Sequence, residues 1–531
     1  MFLISQRLLT LLIVLPIATL FISFIAPDTD VWQHLLETQL FNYIGNSLLL
    51  CVGVAIVSLV IGTTTACLCV MFRFPGRRFL AWAMVLPLAF PPYIVAYTYT
   101  GILDYGGWFN NWWHLSLGFP VLPIRSLSGA ILVLSFVLYP YVYLLVYMIL
   151  ISQSSNLIDV ARLAGLRAKQ IFFRLILPLV RPAAIAGVAL VVMESLANYA
   201  TVEYFGVQTL SVGIFKVWLG LGSLTAAAQL SLIILVFTVL VVSIEKAARK
   251  RISYYNQGCH PPLQAIYTLT GAKTVVAWLI CGLPITLGFA IPLLQLSAWT
   301  YRYGTEKFDS EYLQLMLNSL SLGFATALIV VFIAVIMAYG QRLHPSSKWL
   351  WVDKLATSGY AVPGVVIAIG VLIVITTVEG FVNKASTALD FSAVGLFLSG
   401  TVVALLFAYT VRFMTLGYNT IASSLTKVSP NIDYAASSCG ASKLQTLRLI
   451  HIPLIRSGLF SAALLIFADV VKELPATLVL RPFEFNTLAV RTYELASTER
   501  INDIAVPSLS IVAISLISIV LVAQRITPFR K

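Results

Sequence analysis

Four ionisable residues stand where an apolar chain should carry none. Glu194 lies within the apolar run 183–201, and Asp469, Lys472 and Glu473 close the run 457–474. A charge at a bilayer centre costs about 2.5–3.5 kcal/mol on insertion scales, so Glu194 and Asp469, which correspond at an offset of 275 residues, should face protein or water. Lys472 and Glu473 follow Asp469 by three and four residues, on the same helical face. Two readings stay open. One is a structural ion pair, Asp469 or Glu473 with Lys472, that locks helices together. The other is a translocation pathway lined by Glu194, Asn198, Asp469, Lys472 and Glu473 that tolerates or attracts a cation.

Other reactive groups form no constellation. The six cysteines, at 51, 67, 69, 259, 281 and 439, include no C-x-x-C pair and none lies near a histidine pair, so neither a disulfide framework nor a zinc site is indicated. No His/Tyr/Asp cluster marks a metal site, and metal ligands stay unassigned. There is no G-x-x-x-x-G-K-[ST] phosphate loop and no Gly-Lys pair. Without that cradle of backbone N–H groups and lysine the chain is expected to be no ATPase itself, a translocation subunit with no cofactor of its own.

The elements that must position these groups follow from composition. Of 531 residues, 59% are hydrophobic and only 10% charged, against roughly 25% charged in soluble domains. The apolar excess must face lipid. Runs of roughly 20 apolar residues cross a bilayer; they fall near 8–26, 46–71, 79–103, 127–151, 183–201 and 228–244, then 273–299, 313–340, 355–378, 394–417, 457–474 and 504–524. The expected fold class is an all-α polytopic membrane protein with about twelve transmembrane helices. The run after Arg7 reads as a retained span, because no small-x-small cleavage site follows it.

The basic loops set orientation. With both termini on the side of Arg73, Arg77, Arg78, the 162–181 cluster, the 246–251 cluster and Arg448, that side holds 25 Lys+Arg against 4 Asp+Glu. Such bias marks the cytoplasm, so both termini are expected there. Topology accounts for the net charge of +13, and no nucleic-acid partner is needed.

The chain also repeats itself. Asn46-Ser47-Leu48 recurs as Asn318-Ser319-Leu320, and Pro92 as Pro363. In one cytoplasmic loop Asp159-Val160-Ala161 leads to Gly165 and then Pro178; in another Asp433-Tyr434-Ala435-Ala436 leads to Gly440 and then Pro453, with all spacings kept. Each reads as a short helix, a glycine that permits a tight bend, and an amphipathic helix ending at proline. Small residues (Ala161, Ala164, Ala435, Ala436) would let another surface approach. An interfacial helix on anionic lipid would explain one such loop; two matched copies imply a symmetric, two-lobed cytoplasmic partner. Parallel repeats place a pathway at their interface. The division is a first half at 1–250 with its loop at 157–182, a linker at 251–272, and a second half at 273–531 with its loop at 431–457.

The x-A-A/A-x-x-x-G…I/L-x-L/I-P pattern resembles the EAA loop of ABC importer permeases of the type I, MetI-like fold, in the fused double-length form with two homologous six-helix halves. The segments ESLANYATVEYFGVQT (194–209) and KELPATLVLRPF (472–483) are most similar to ferric-iron permeases. The resemblance implies coupling to ATPase subunits through Asp159, Ala161, Gly165, Pro178, Asp433, Tyr434, Ala435, Ala436, Gly440 and Pro453. Val160 replaces the first alanine of the pattern and Tyr434 stands at its acidic position. The implied partners are two ATP-binding-cassette subunits as a homodimer, carrying ATP and magnesium, a soluble substrate-binding protein, and the lipid of a bacterial inner membrane. Thiamine, sulfate and polyamine permeases share the architecture. Glu203, Arg481, Glu484 and Arg491 are candidates for docking the binding protein, with solvated loop charges as the plainer reading. Trp108, Trp112 and Trp113 suit an interfacial belt. An ion-gradient-driven transporter is the rival class, one that would not need two matched sockets.

Overall fold

The computed structural model describes residues 2–523 except 26, 105, 119, 121–122, 154–155, 251–266, 305–308, 345–355, 357–358 and 360–361, with the side chains of 2–3, 156–159, 168, 248–250 and 522–523 also left out. Most of the linker at 251–272 therefore lies outside the described residues. Ten helices are long and apolar enough to cross a membrane, and two bent pairs, Arg77–Ala89 with Pro92–Leu117 and Lys443–Leu454 with Arg456–Lys472, raise the number to twelve if each is one span. The apolar run at 79–103 is thus not one helix. Pro87, Pro91 and Pro92 interrupt it, since proline supplies no N–H and fixes φ.

Each half is built around a long helix, Leu40–Met71 or Ser310–Leu343, packed on Leu127–Ser152 or Val402–Leu425 and on Leu177–Ala197 or Arg456–Lys472. Short helices then turn back, Ala200–Tyr204 and Leu210–Phe215 in one half, Pro475–Leu480 and Leu488–Ser497 in the other, before the last helices Leu224–Lys250 and Ala505–Ala523. The run at 394–417 is displaced: its helix is Val402–Leu425. Arg412, which falls inside the expected run, lies mid-helix.

The first helices are exchanged between halves. Phe2–Leu20 lies against Gly364–Ala388 and Ser310–Leu343 of the second half, while Ala272–Tyr303 lies against Leu40–Met71, Pro92–Leu103 and Leu127–Ser152 of the first. Close approach at Gly370 allows this. The Thr19 hydroxyl donates to the Gly370 carbonyl at 3.3 Å, and a Cβ at 370 would collide with the Pro16 carbonyl oxygen. A two-stranded parallel pairing of Phe72–Arg73 with Tyr267–Thr268 adds a tie between the first half and the end of the linker. Gly370→Val should lower the melting temperature of the detergent-solubilised protein by the equivalent of about 1–3 kcal/mol, the usual cost of overpacking. Gly380→Ala, where a Cβ meets nothing within 4 Å, should leave it unchanged.

Candidate functional site

Two hydrogen-bonding staples hold the re-entrant turns. Asn46 Nδ2 donates to the Gln208 carbonyl at 2.9 Å, and the Leu210 N–H donates to Ser47 Oγ at 2.9 Å. In the second half Asn318 Nδ2 donates to the Asn486 carbonyl at 3.0 Å, and the Leu488 N–H donates to Ser319 Oγ at 2.8 Å. The repeated Asn-Ser pair thus supplies partners that a broken helix lacks. The short helices are capped in parallel as well. Asn198 Oδ1 accepts from the Thr201 N–H at 3.1 Å, and Glu473, 275 residues on, accepts from the N–H groups of Ala476 and Thr477 at 3.2 and 3.3 Å.

These turns border an open cavity between the halves, about 780 Å³ with its mouth included. The first half contributes Pro92, Tyr93, Val137, Glu194 and Asn198; the second contributes Arg412, Asp469, Lys472 and Glu473. All five residues predicted for the pathway therefore meet at one place. Of the expected ion pairs the Asp469–Lys472 alternative is the one formed, and Glu473 takes a partner outside that expectation. Lys472 Nζ bonds Asp469 at 2.9 Å, but Glu473 pairs with Arg412 Nη1 at 2.9 Å, and its side chain is 1% exposed. Glu473 is thus at once helix cap and counter-ion, with its oxygens committed to the fold. Arg412 was missed because its partner lies 61 residues away in sequence. The first half carries the neutral pair Val137 and Asn198 at the corresponding positions.

On the side opposite the repeated loops the halves meet again. Arg125 binds Glu499 through Nη1 and Nη2, both at 2.9 Å, and Asp104 through Nε at 2.9 Å; Tyr199 and Tyr493 hydroxyls lie 3.3 Å apart. The Arg125 guanidinium holds the Glu499 carboxyl below its ordinary value, and Glu203 hydrogen-bonds Tyr493 of the other half. Glu203 thus faces the seam between halves. Arg481 pairs with Glu494 at 2.9 Å and Arg491 with Glu311 at 3.2 Å. Glu484 lies in an exposed turn with φ 62°, beside Phe483, which is 100% exposed and has no counterpart among the charge-based candidates.

The repeated loops superpose feature for feature. Helix Asn156–Leu163 ends at Gly165, φ 77°, and helix Asn431–Ser438 ends at Gly440, φ 79°. The N–H groups of Gly165 and Leu166 donate to the carbonyls of Arg162 and Ala161; those of Gly440 and Ala441 donate to Ser437 and Ala436. This is the glycine-terminated helix end, which needs the left-handed conformation. A π-turn follows at the same offset in both, Phe172–Ile176 and Leu447–His451, running into Pro178 and Pro453. Ala161 and Ala436 are buried, at 5% and 6% exposure, so these alanines pack against their own chain and do not form an approach surface. The outward faces carry Val160 and Leu163 in one loop and Tyr434, 72% exposed, with Ala435 in the other. Asp433 is engaged within the chain by Arg342 and His451. The side chain of Asp159 lies outside the described residues.

With exchanged first helices, capped re-entrant turns around an inter-half cavity and paired glycine-hinged loops, the chain is similar to membrane-spanning permeases of binding-protein-dependent importers. Residues 58–254 match the family model of the binding-protein-dependent transport system inner membrane component. The chain is 26% identical over 502 residues, 92% of each chain, to the Fe(3+)-transport system permease protein FbpB 2 of Haemophilus influenzae. It is 29% identical over 221 residues, 39% of this chain and 73% of the relative, to the sulfate transport system permease protein CysW of Escherichia coli.

Breaking the buried pair should be costly. Glu473→Gln is expected to lose about 3–5 kcal/mol of stability, because Arg412 is left without its counter-charge. Arg412→Val combined with Glu473→Asn, which copies the first half, should recover most of that loss in the same unfolding measurement.

Proposed function

We propose that this chain imports ferric iron delivered by a soluble binding protein, driven by two ATP-binding-cassette subunits that form a homodimer and bind the ATP and magnesium. The observation that carries the reading is the pair of loops with the same hinge, the same hydrogen bonds and the same π-turn 275 residues apart. Two like surfaces suit two copies of one partner. In this reading Val160, Leu163 and Tyr434 enter clefts of the ATPases, and Gly165 and Gly440 make the sharp turn that ends each coupling helix.

Iron as cargo is supported by similarity over nearly the whole chain to a permease named for Fe(3+) transport. The loop side is the cytoplasmic side, as the Lys/Arg bias favours, and both termini lie there. Glu194 and Asp469 line the route of a cation, and Lys472 and Arg412 balance the cavity's charge so that no ion is trapped. The binding protein docks on the opposite face, on Arg481, Glu484 and Arg491 around Phe483, with Glu203 deeper in the seam.

The complex of this chain with its ATPase and binding protein, in proteoliposomes, should take up radioactive iron on addition of ATP and leave thiamine, sulfate and polyamine behind. Cysteines replacing Gly165 or Gly440 should cross-link to the ATPase. Uptake driven by a proton or sodium gradient without ATP would overturn the reading. In an assembled complex, Glu194→Gln with Asp469→Asn should cut iron uptake about tenfold, a loss of about 1.4 kcal/mol in the transport barrier; normal uptake would remove both acids from the pathway.

A further inference from the structure

Arg342 sits one residue before the end of helix Ser310–Leu343, on the side of the repeated loops. Its Nε and Nη2 donate to Asp433 Oδ2 at 2.9 and 2.7 Å. Its Nη1 donates to the Leu425 carbonyl at 2.7 Å, and Nη2 also donates to the Val428 carbonyl at 2.9 Å. Leu425 is the last residue of helix Val402–Leu425, so the guanidinium closes carbonyls that a helix end leaves open. The other oxygen of Asp433 lies 2.6 Å from Nε2 of His451, which is fully buried in the turn leading to Arg456–Lys472. Tyr339, one turn before Arg342, donates to the Lys443 carbonyl at 2.9 Å. One cluster therefore joins the loop-side ends of two long helices to the coupling helix Asn431–Ser438 and to the π-turn that feeds a third.

Two of those three helices line the cavity, and the third holds the re-entrant turn that borders it. Ser310–Leu343 carries Asn318 and Ser319, which staple the re-entrant turn. Val402–Leu425 carries Arg412, about 20 Å from its clamped end at 1.5 Å per residue, and Arg456–Lys472 ends on Asp469 and Lys472. Among the described residues the first half shows no such cluster. The repeat offsets of 272 and 275 place Val70, Ile158 and Ile176 where Arg342, Asp433 and His451 stand. There Arg162 lies over the Tyr267 ring at 5.1 Å, a tie to the end of the linker.

We propose that Arg342 is a positioning residue that makes the second coupling loop move as one piece with the cavity helices, so that the two matched loops transmit unequally and the second carries the rigid linkage. The proposal rests on the reading of this chain as an ATPase-driven importer. A guanidinium holding a carboxylate and two carbonyls fixes direction as well as distance, which the ammonium of a lysine cannot do. The ring contact of Arg162 is a looser hold.

The test uses the complete transporter, with binding protein and ATPase, in proteoliposomes, reading ATP hydrolysed and iron taken up in the same vesicles. Arg342→Lys and Asp433→Asn should each raise the ATP spent per iron ion about tenfold, well inside the range of measured coupling energies. His451→Gln, which keeps an N–H donor toward Asp433, should stay close to the unsubstituted ratio, and Arg162→Gln should change it far less than Arg342→Lys. A merely structural role would lower hydrolysis and uptake in proportion. An unchanged ratio in Asp433→Asn, or an equal rise in Arg162→Gln, would overturn the proposal, and Asp433→Asn decides the matter should Arg342→Lys fail to assemble. Uptake by the unsubstituted complex reports on the importer reading, and the ratio between variants reports on the linkage.

Discussion

Inside a bilayer every backbone N–H and C=O must find a partner within the protein, and this chain breaks its helices in the middle of that region twice. The re-entrant turns at 198–210 and 473–488 survive because Asn46 and Ser47, and again Asn318 and Ser319, reach across to their carbonyl and N–H groups. Asn198 and Glu473 then close the first N–H groups of the short helices. The cavity between the halves is a consequence. Where a continuous helix would have filled the seam with side chains, two turns leave space, and the polar groups needed to satisfy them are the ones that line it.

Duplication alone would make that cavity symmetric, and it is not. Asn198 shows that a neutral side chain is enough to cap the turn. Glu473 does the same task with a charge, and such a charge in a buried place needs Arg412 beside it. Neither could have changed alone, since a glutamate at 198 would face Val137 and an arginine at 137 would face an asparagine. The retained pair Glu194 and Asp469, in contrast, stands in both halves. The cavity between the halves thus combines one symmetric acidic element with one ion pair confined to the second half.

Much of this was legible in the sequence. Runs of apolar residues give most of the spans because lipid contact constrains composition directly, and the 275-residue repeat exposes Gly165 with Gly440 because a left-handed turn restricts residue type strongly. Arg412 and Arg342 were hidden for the opposite reason. An arginine near a helix end looks like a topology signal, and nothing in one chain says that its partner waits 61 or 91 residues away. The same limit applies to the exchanged first helices: Gly370 looks like any glycine in an apolar run until the Pro16 carbonyl is seen against it. The burial of Ala161 and Ala436 was misjudged because small residues serve close packing inward as readily as approach from outside.

The seam opposite the coupling loops shows how hard such a machine needs to be pushed. It is closed by Arg125 on Glu499 and Asp104, and by the Tyr199 and Tyr493 hydroxyls. The ion pair is half open to solvent, which limits it to about 0–1 kcal/mol, and the hydroxyl pair adds about 0.5–1.5 kcal/mol. Below it the helices are held by buried ion pairs and shared carbonyls that cost several times more to break. A displacement applied at the second loop would therefore travel through stiff contacts and be released at the weak ones between the halves. That ordering of strengths, rigid along the helices and loose across the far seam, is what the proposed drive from the loops requires.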